Sequence, residues 1–121
     1  MKRLVLIIDD DAIYQQILKK LLYGRYQVVS ADTSKQAFKY LDELKSPDLV
    51  IADLNLPGID SLEFISTIKT KLVDEATHIL VISGMDDEVL KSKLLNLGVA
   101  EVLTKPVDRK QLVEEVDRLI G

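Results

Sequence analysis

The stretch that decides the fold is a short apolar run followed by three aspartates, Leu4-Val5-Leu6-Ile7-Ile8-Asp9-Asp10-Asp11. Five consecutive apolar residues, partly β-branched, are typical of a strand that is buried on both faces of a sheet. The aspartates at its end therefore lie at the rim of a core. Because adjacent carboxylates repel one another in a confined place, they either point into water or share a cation.

The composition is that of one globular domain. The chain has 121 residues, 47% of them apolar and 30% charged, a net charge of −4 and no cysteine. This length fits a single core, so we expect one domain over residues 1–121, with no output domain in this chain. Without cysteine there are no disulfides or thiolate metal sites. No cluster of basic residues is long enough to bind the phosphates of a nucleic acid. No apolar run approaches the roughly 20 residues of a membrane span, and the apolar run near the N-terminus is too short for a signal peptide. We therefore expect a cytoplasmic protein.

Apolar runs alternate five times with helical patterns along the chain. This alternation is typical of an open parallel sheet with helices on both faces. The second run is more polar than the others and suits an edge strand. We therefore predict an α/β fold with a single doubly wound (βα)5 domain and a five-stranded parallel sheet of the flavodoxin-like order 2-1-3-4-5. The predicted strands lie near residues 3–8, 26–30, 48–52, 78–82 and 100–103, and the predicted helices near residues 12–23, 34–44, 61–71, 87–97 and 108–120.

The first and last helical patterns carry their own boundary signals. Asp11 and Asp108 are suitable N-caps, and Gly24 is a suitable C-terminal stop for the first helix. The first helix is predicted to turn one apolar stripe towards the sheet. That stripe consists of Ile13, Ile17, Leu18, Leu21 and Leu22.

Chemically active residues follow the predicted strands at their carboxyl ends. In the order 2-1-3-4-5, strands one and three are neighbours and flank the point where ligands bind. We therefore expect Asp9 and Asp10 to converge with Asp53. Carboxylates without histidine or cysteine nearby favour Mg²⁺. Beside them, Lys105 offers a positive charge and Ser83 a hydroxyl donor, which suit the oxygens of a phosphoryl group.

These residues, in this order, resemble the receiver domain of bacterial response regulators, the chemotaxis-regulator-like superfamily of two-component systems. The resemblance spans essentially the whole chain. It implies a phosphorylation-dependent signalling switch, not a turnover enzyme, that accepts a phosphoryl group from a histidine kinase or a histidine phosphotransfer protein. The resemblance rests on four features that align with the family pattern: the acidic pair Asp9-Asp10, the block from Asp48 to Gly58, the pair Ser83-Gly84 and the pair Lys105-Pro106.

The resemblance implies a role for each site residue. Asp53 is the phosphoacceptor, and Ser83 and Lys105 contact the phosphoryl oxygens. Mg²⁺ is bound by Asp10, by Asp53 and by the main-chain carbonyl of Asn55. Asp9 contributes mainly through a metal-bound water. The Lys105-Pro106 pair also suits a cis peptide bond.

Three positions depart from the family pattern. Val102 occupies the place of an aromatic residue whose rotation reports phosphorylation, and valine cannot make that movement. We therefore expect the switch formed by Ser83 and Val102 to be attenuated. Ser61 stands where the family favours glycine, and Met85 is expected to slow hydrolysis of the phosphoryl group. The departure at Val102 motivates an alternative function, a receiver-like adaptor that binds its partner without depending on phosphorylation.

The expected partners, besides the phosphodonor, are a downstream protein or a fused output domain. We expect a monomer or a weak dimer formed through helix four, strand five and helix five. Other interpretations are weaker: the aspartates could be simple caps, and Asn55-Leu56-Pro57-Gly58 an ordinary turn. A phosphatase would need an acid where Asn55 stands, and a flavin carrier would need a phosphate-binding loop after strand one. His78 is expected to be structural.

Overall fold

Strands and helices alternate strictly along the chain in the computed structural model, which describes residues 2–44, 46–55, 58–72 and 76–121 and all of their side chains except that of Leu44. The strands join into one parallel sheet with the predicted order β2-β1-β3-β4-β5. The elements, in chain order, are β1 (Leu4–Ile8), α1 (Ala12–Leu22), β2 (Gln27–Ala31), α2 (Ser34–Leu44), β3 (Leu49–Asp53), α3 (Ser61–Lys71), β4 (His78–Ser83), α4 (Glu88–Asn96), β5 (Glu101–Thr104) and α5 (Arg109–Ile120).

Successive residues of the strands pack against opposite helical layers, because side chains alternate across a strand. In β1, Val5 and Ile7 belong to the core beneath α1 and α5, whereas Leu6 and Ile8 belong to the core on the side of α2, α3 and α4. The central strand β3 is buried at all five positions. The more polar β2 is an edge strand, as its sequence predicts.

Element boundaries differ from the predicted ones by at most one residue, and turn hydrogen bonds explain the shift at β2. The backbone N–H of Tyr26 donates to the carbonyl of Leu22 at 3.1 Å and so closes the turn after α1. Pairing with the sheet therefore begins at Gln27, whose N–H donates to the carbonyl of Arg3 at 2.9 Å. β2 accordingly spans Gln27–Ala31 rather than residues 26–30.

Aspartate side chains cap the helices at the carboxyl edge of the sheet. Asp11 accepts hydrogen bonds from the N–H groups that open α1, and Asp108 accepts from Gln111 N–H at 3.0 Å, both as predicted. Asp60 caps α3. Capping of this kind satisfies N–H groups that have no partner within the helix. In the part of the chain that the structure describes, no helix combines the length and the apolarity needed to cross a bilayer.

The predicted apolar stripe of α1 is wrong at its first member. Ile13 is 75% exposed, whereas Leu18 and Leu22 are fully buried. Ile13 is exposed because of its place in the first turn of α1. β1 ends at Ile8, so this turn lies beyond the strand that the rest of the helix covers. Ile13 is therefore an exposed apolar residue next to the carboxyl edge of the sheet.

A hydrogen-bonded cluster joins the start of β2 to the last turn of α5. The hydroxyl of Tyr26 donates to Asp117 Oδ1, and Arg25 donates to Asp117 Oδ2 at 2.7 Å. Burial, followed by the hydrogen bond to Asp117, raises the pKa of Tyr26 to about 12. The neutral phenol is thus the form present at physiological pH.

Replacing Tyr26 by phenylalanine is expected to lower the free energy of unfolding by about 1 kcal/mol, because the ring stays buried while one hydrogen bond to a carboxylate is lost. Urea unfolding measures this loss. The matched control is Tyr23→Phe, since the Tyr23 ring is 85% exposed. Equal stability of Tyr26→Phe and the parent protein would show that the bond to Asp117 contributes nothing.

Candidate functional site

Three carboxylates meet where β1 and β3 end. Ile8 pairs with Ala52 across these strands, so the residues that follow, Asp9 and Asp53, emerge side by side. One carboxylate oxygen from each of Asp9, Asp10 and Asp53 lies within 4.8 Å of the others. Asp9 and Asp53 are 1% and 4% exposed, whereas Asp10 is open to solvent. Three oxygens at this spacing can surround one divalent cation.

Backbone and side-chain donors hold the Asp9 loop in place. The N–H of Asp11 donates to Asp9 Oδ1 at 2.8 Å. The buried amide of Gln15 contacts the Asp9 carbonyl and also donates to the carbonyl of Ala31 at 3.1 Å and to Asp32 Oδ1 at 2.8 Å. Gln15 thus ties the ends of β1 and β2 together. Gln15 was not among the predicted site residues, although a polar residue three positions before Leu18 falls on the buried face of α1.

Lys105 approaches the cluster from the loop after β5. Its Nζ lies 3.2 Å from Asp53 Oδ2, and its backbone N–H donates to the carbonyl of Ser83 at 2.7 Å. The peptide bond between Lys105 and Pro106 is cis, as the resemblance implies. The same Nζ lies 4.7 Å from the centroid of the Tyr14 ring. Tyr14 is a second residue of the site that sequence analysis missed.

Burial and neighbouring charges shift the ionisation of Asp9 and Lys105. Burial is the main cause that raises the pKa of Asp9 to about 6, and the charge of Asp53 adds to it, against the opposing hydrogen bond from Asp11 N–H and the charge of Lys105. Burial acts to lower the pKa of Lys105, but the charge and hydrogen bond of Asp53, with Asp9 and Tyr14, raise it overall. The pocket therefore favours positive charge and resists a further negative one.

Asp9→Asn is expected to stabilise the metal-free protein in a pH-dependent way. A carboxyl whose pKa is raised from 3.8 to about 6 binds its proton more tightly in the folded chain than in the unfolded one. Ionisation of Asp9 therefore destabilises the fold progressively as the pH rises from about 4 to about 6, and the penalty is complete above that range. The gain from Asp9→Asn should be about 2 kcal/mol larger at pH 7.5 than at pH 4.

Urea unfolding with a chelator present measures this difference. Asp86→Asn removes one negative charge at an exposed position of the chain and is the matched control. If the gain from Asp9→Asn were the same at both pH values, burial of the ionised carboxylate would not be its cause.

Ser83 ends β4 at the same edge, but its hydroxyl is engaged within its own loop. It donates to the Met85 carbonyl at 3.2 Å and accepts from the Met85 N–H at 3.1 Å. Among the hydrogen bonds of residues 2–44, 46–55, 58–72 and 76–121, none joins this hydroxyl to the carboxylates. A Cβ on the next residue, Gly84, would lie 2.9 Å from Asn55 Nδ2. The loops after β3 and β4 are therefore in close contact.

Asn55 lies at the start of the predicted turn. Its N–H donates to Asp53 Oδ1 at 3.1 Å, and its side chain is exposed. Gly58 has a φ of +82°, a conformation that favours glycine at the end of this turn. Leu56 and Pro57, the middle of the predicted turn, lie outside the described residues.

Val102 lies in the edge strand β5, opposite Val81 of β4. Together with Ser83 and Met85 it lines a small cavity under the loop that follows β4. The two positions of the expected switch are thus walls of the same cavity. His78 begins β4 at the opposite edge of the sheet and is half-buried there, away from the carboxylates, as predicted.

Known proteins share both this sequence pattern and this fold. A family model of the response regulator receiver domain matches residues 5–117. The cell cycle response regulator CtrA of Brucella ovis is 30% identical over 118 residues, which are 98% of this chain and 50% of that protein. The two-component response regulator-like PRR37 of Oryza sativa subsp. indica is 28% identical over 89% of this chain and 15% of its own length. The chain thus spans half the length, or less, of these relatives.

Solved structures agree with the sequence comparison. A response regulator receiver protein from Pseudomonas putida superposes with a TM-score of 0.85 and 34% identity, covering 98% of each chain. A CheY-like receiver domain protein from Methanospirillum hungatei has a TM-score of 0.87 at 21% identity and shares the flavodoxin-like fold. The chain therefore belongs to the family of response regulator receiver domains, the phosphorylation-dependent signalling domains of two-component systems.

Proposed function

We propose that this chain is a phosphorylation switch in which Asp53 accepts a phosphoryl group from a phosphohistidine of a kinase or phosphotransfer protein. Receiver domains act as signalling switches rather than turnover enzymes, and phosphorylation and Mg²⁺ are general features of the family. One observation carries the assignment to Asp53: this buried carboxylate lies within 4.8 Å of two other acids and 3.2 Å from a lysine ammonium. A nucleophile for an anionic donor needs positive charge beside it.

The donor set of the pocket fits Mg²⁺. Its ligand atoms are carboxylate oxygens, which a hard cation prefers. Burial, with the charge of Asp53 beside it, makes ionisation of Asp9 costly and raises its pKa, and a bound cation would offset that cost. Asp10, Asp53 and the main-chain carbonyl of Asn55 would bind the ion directly, and Asp9 would act through a bound water. When bound, the ion supplies the charge that lets a carboxylate approach a phosphoryl group.

The transfer itself is a substitution at phosphorus. One carboxylate oxygen of Asp53 forms a bond to phosphorus as the bond from phosphorus to the donor's imidazole nitrogen breaks. The electron pair of that bond leaves with the imidazole, which departs as a neutral ring when its other nitrogen is already protonated and otherwise takes a proton from solvent. Lys105, already beside Asp53, then donates to an oxygen of the transferred group. These residues hold the reacting groups in place, which is most of what phosphoryl transfer requires of a protein.

Ser83 links the transfer to a movement of the protein. Its hydroxyl accepts a hydrogen bond from the Met85 N–H and donates its single proton to the Met85 carbonyl. The bond to the carbonyl must therefore break before the hydroxyl can donate to a phosphoryl oxygen. The exchange displaces the loop that precedes α4. A displacement there changes the surface formed by α4, β5 and α5, where Val89 and Leu95 of α4 are exposed apolar residues. We assign the downstream partner, or a weak dimer contact, to this surface, and the domain itself to the cytoplasm.

Nuclear magnetic resonance of the metal-loaded protein tests the switch. Acetyl phosphate or beryllofluoride, added with Mg²⁺, is expected to shift the amide resonances of Ser83 and Lys105 well beyond the changes that Mg²⁺ alone produces. The amide of His78, at the opposite edge of the sheet, is the internal control and should move little. If the amides of Ser83 and Lys105 respond no more than that of His78, the proposal fails.

A second candidate function is an adaptor that binds its partner without depending on phosphorylation. The observation that favours it is Val102, a half-buried valine in β5 that cannot rotate between exposed and buried positions as an aromatic ring does. Partner affinity decides between the two functions. An adaptor binds its partner equally well as phosphorylated protein and as Asp53→Ala, whereas a switch distinguishes them.

A further inference from the structure

Two contacts restrain the ammonium group of Lys105. One is the carboxylate of Asp53, 3.2 Å from Nζ, and the other is the face of the Tyr14 ring, whose centroid lies 4.7 Å away. A lysine side chain is flexible, and one that reaches into an open crevice has many conformations of similar energy. A ring face beneath the ammonium reduces that number, since the electron-rich face of an aromatic ring attracts a cation.

Tyr14 is held in place by its helix and by the core. Its backbone N–H donates to Asp11 Oδ1 at 3.2 Å in the first turn of α1. The side chains of Tyr14 and Val107 both pack against the core beneath α1 and α5. Val107 belongs to the same loop as Lys105. The ring therefore bridges α1 and the loop that carries the lysine.

We propose that Tyr14 is a positioning residue for phosphoryl capture: its ring face keeps the Lys105 ammonium at the crevice while the lysine changes partner from Asp53 to a phosphoryl oxygen. The inference rests on the proposed function of Asp53. When Asp53 carries a phosphoryl group, the contact between Lys105 and Asp53 Oδ2 must give way. The attraction to a ring face has no single preferred direction, so the ammonium can slide across Tyr14 without leaving it.

The two parts of the Tyr14 side chain can be separated by substitution. Tyr14→Phe keeps the ring face and removes only the hydroxyl, whereas Tyr14→Leu removes the ring and keeps an apolar side chain of similar bulk. Each variant is made in the parent protein and in Lys105→Gln. Because the double-mutant comparison isolates the pairwise effect, it shows whether Tyr14 acts through Lys105.

Two measurements are made on the parent protein and on five variants, namely the two Tyr14 variants, Lys105→Gln and the two double variants. In the resting state, the methylene protons next to Nζ of Lys105 should resonate upfield in the parent and in Tyr14→Phe, because they lie over an aromatic ring, and should lose that shift in Tyr14→Leu. With Mg²⁺ fixed, the apparent affinity for beryllofluoride should fall about three- to tenfold in Tyr14→Leu and less than about twofold in Tyr14→Phe. In the Lys105→Gln background, Tyr14→Leu should change that affinity no further.

Several outcomes would overturn the inference. Equal losses from Tyr14→Leu with and without Lys105 would mean that the ring acts on the fold or on another group. Absence of the upfield shift in the parent protein would remove the contact on which the inference depends. Beryllofluoride binding by the parent but unchanged binding by Tyr14→Leu would reject the inference alone. A parent protein that binds no beryllofluoride would reject the proposed function, and the inference with it.

Discussion

Asp53→Asn is expected to abolish phosphorylation by acetyl phosphate in the presence of Mg²⁺, with the rate falling by more than about a thousandfold. The amide oxygen of asparagine is uncharged and is a poor nucleophile at phosphorus. The substitution also removes the charge that holds Lys105 at 3.2 Å. Intact mass measurement, made before the acyl phosphate hydrolyses, counts the phosphoryl groups on the parent and on the variant.

Loss of phosphorylation in Asp53→Asn should not reflect loss of the fold. The buried side chain keeps its shape, and one of the charges that raise the pKa of Asp9 disappears, so the variant should unfold at no lower urea concentration than the parent. Asp60→Asn is the matched control, because asparagine caps a helix about as well as aspartate. Phosphorylation that persisted in Asp53→Asn would place the acceptor at another residue.

Asp10→Asn is expected to weaken Mg²⁺ binding by about a hundredfold while leaving the free energy of unfolding of the metal-free protein nearly unchanged. Asp10 is exposed, so its side chain contributes little to the stability of the fold, but its carboxylate oxygen belongs to the three-acid cluster. A titration with Mg²⁺ at neutral pH, followed through the amide resonances of the loop after β1, measures the affinity.

The neighbouring aspartate provides the control for this second prediction. The carboxylate of Asp11 is occupied by the N–H groups of Ile13 and Tyr14, and asparagine can take over that capping role. Asp11→Asn removes the same charge from nearly the same place, so it should weaken Mg²⁺ binding only by about twofold, through the general field of the site. Equal losses in Asp10→Asn and Asp11→Asn would show that Asp10 is not a ligand.

Periodicity and strand-end chemistry were sufficient to predict the sheet. The fully apolar run of β3 indicated a central strand, the polar β2 indicated an edge, and the alternation with helices indicated a doubly wound parallel sheet, for which the flavodoxin-like order was predicted. The predicted topology also placed Asp9 and Asp53 close together, because neighbouring parallel strands end at the same edge of the sheet. Local pattern and topology together thus account for the frame of the site.

Contacts between distant segments could not be predicted in this way. Lys105 meets the ring of Tyr14, and Tyr26 meets Asp117, through the packing of α1 and α5 on the sheet, and no local pattern encodes either pair. The orientation of the Ser83 side chain could not be predicted from the sequence either. Its hydroxyl could bond to the nearby backbone of Met85 as well as face the carboxylates. Only the packed structure selects among such partners.

The hydrogen bonds to Asp117 restrain the C-terminal end of α5. They attach its last turn to the start of β2, whereas its first turn follows the loop that carries Lys105. The helix has 12 residues and is therefore about 18 Å long. A displacement of the loop by about 1 Å would tilt a helix of this length by about 3° around the Asp117 end. Under the proposed function, and with a valine at position 102, we therefore expect the angle of α5 to change when Asp53 is phosphorylated.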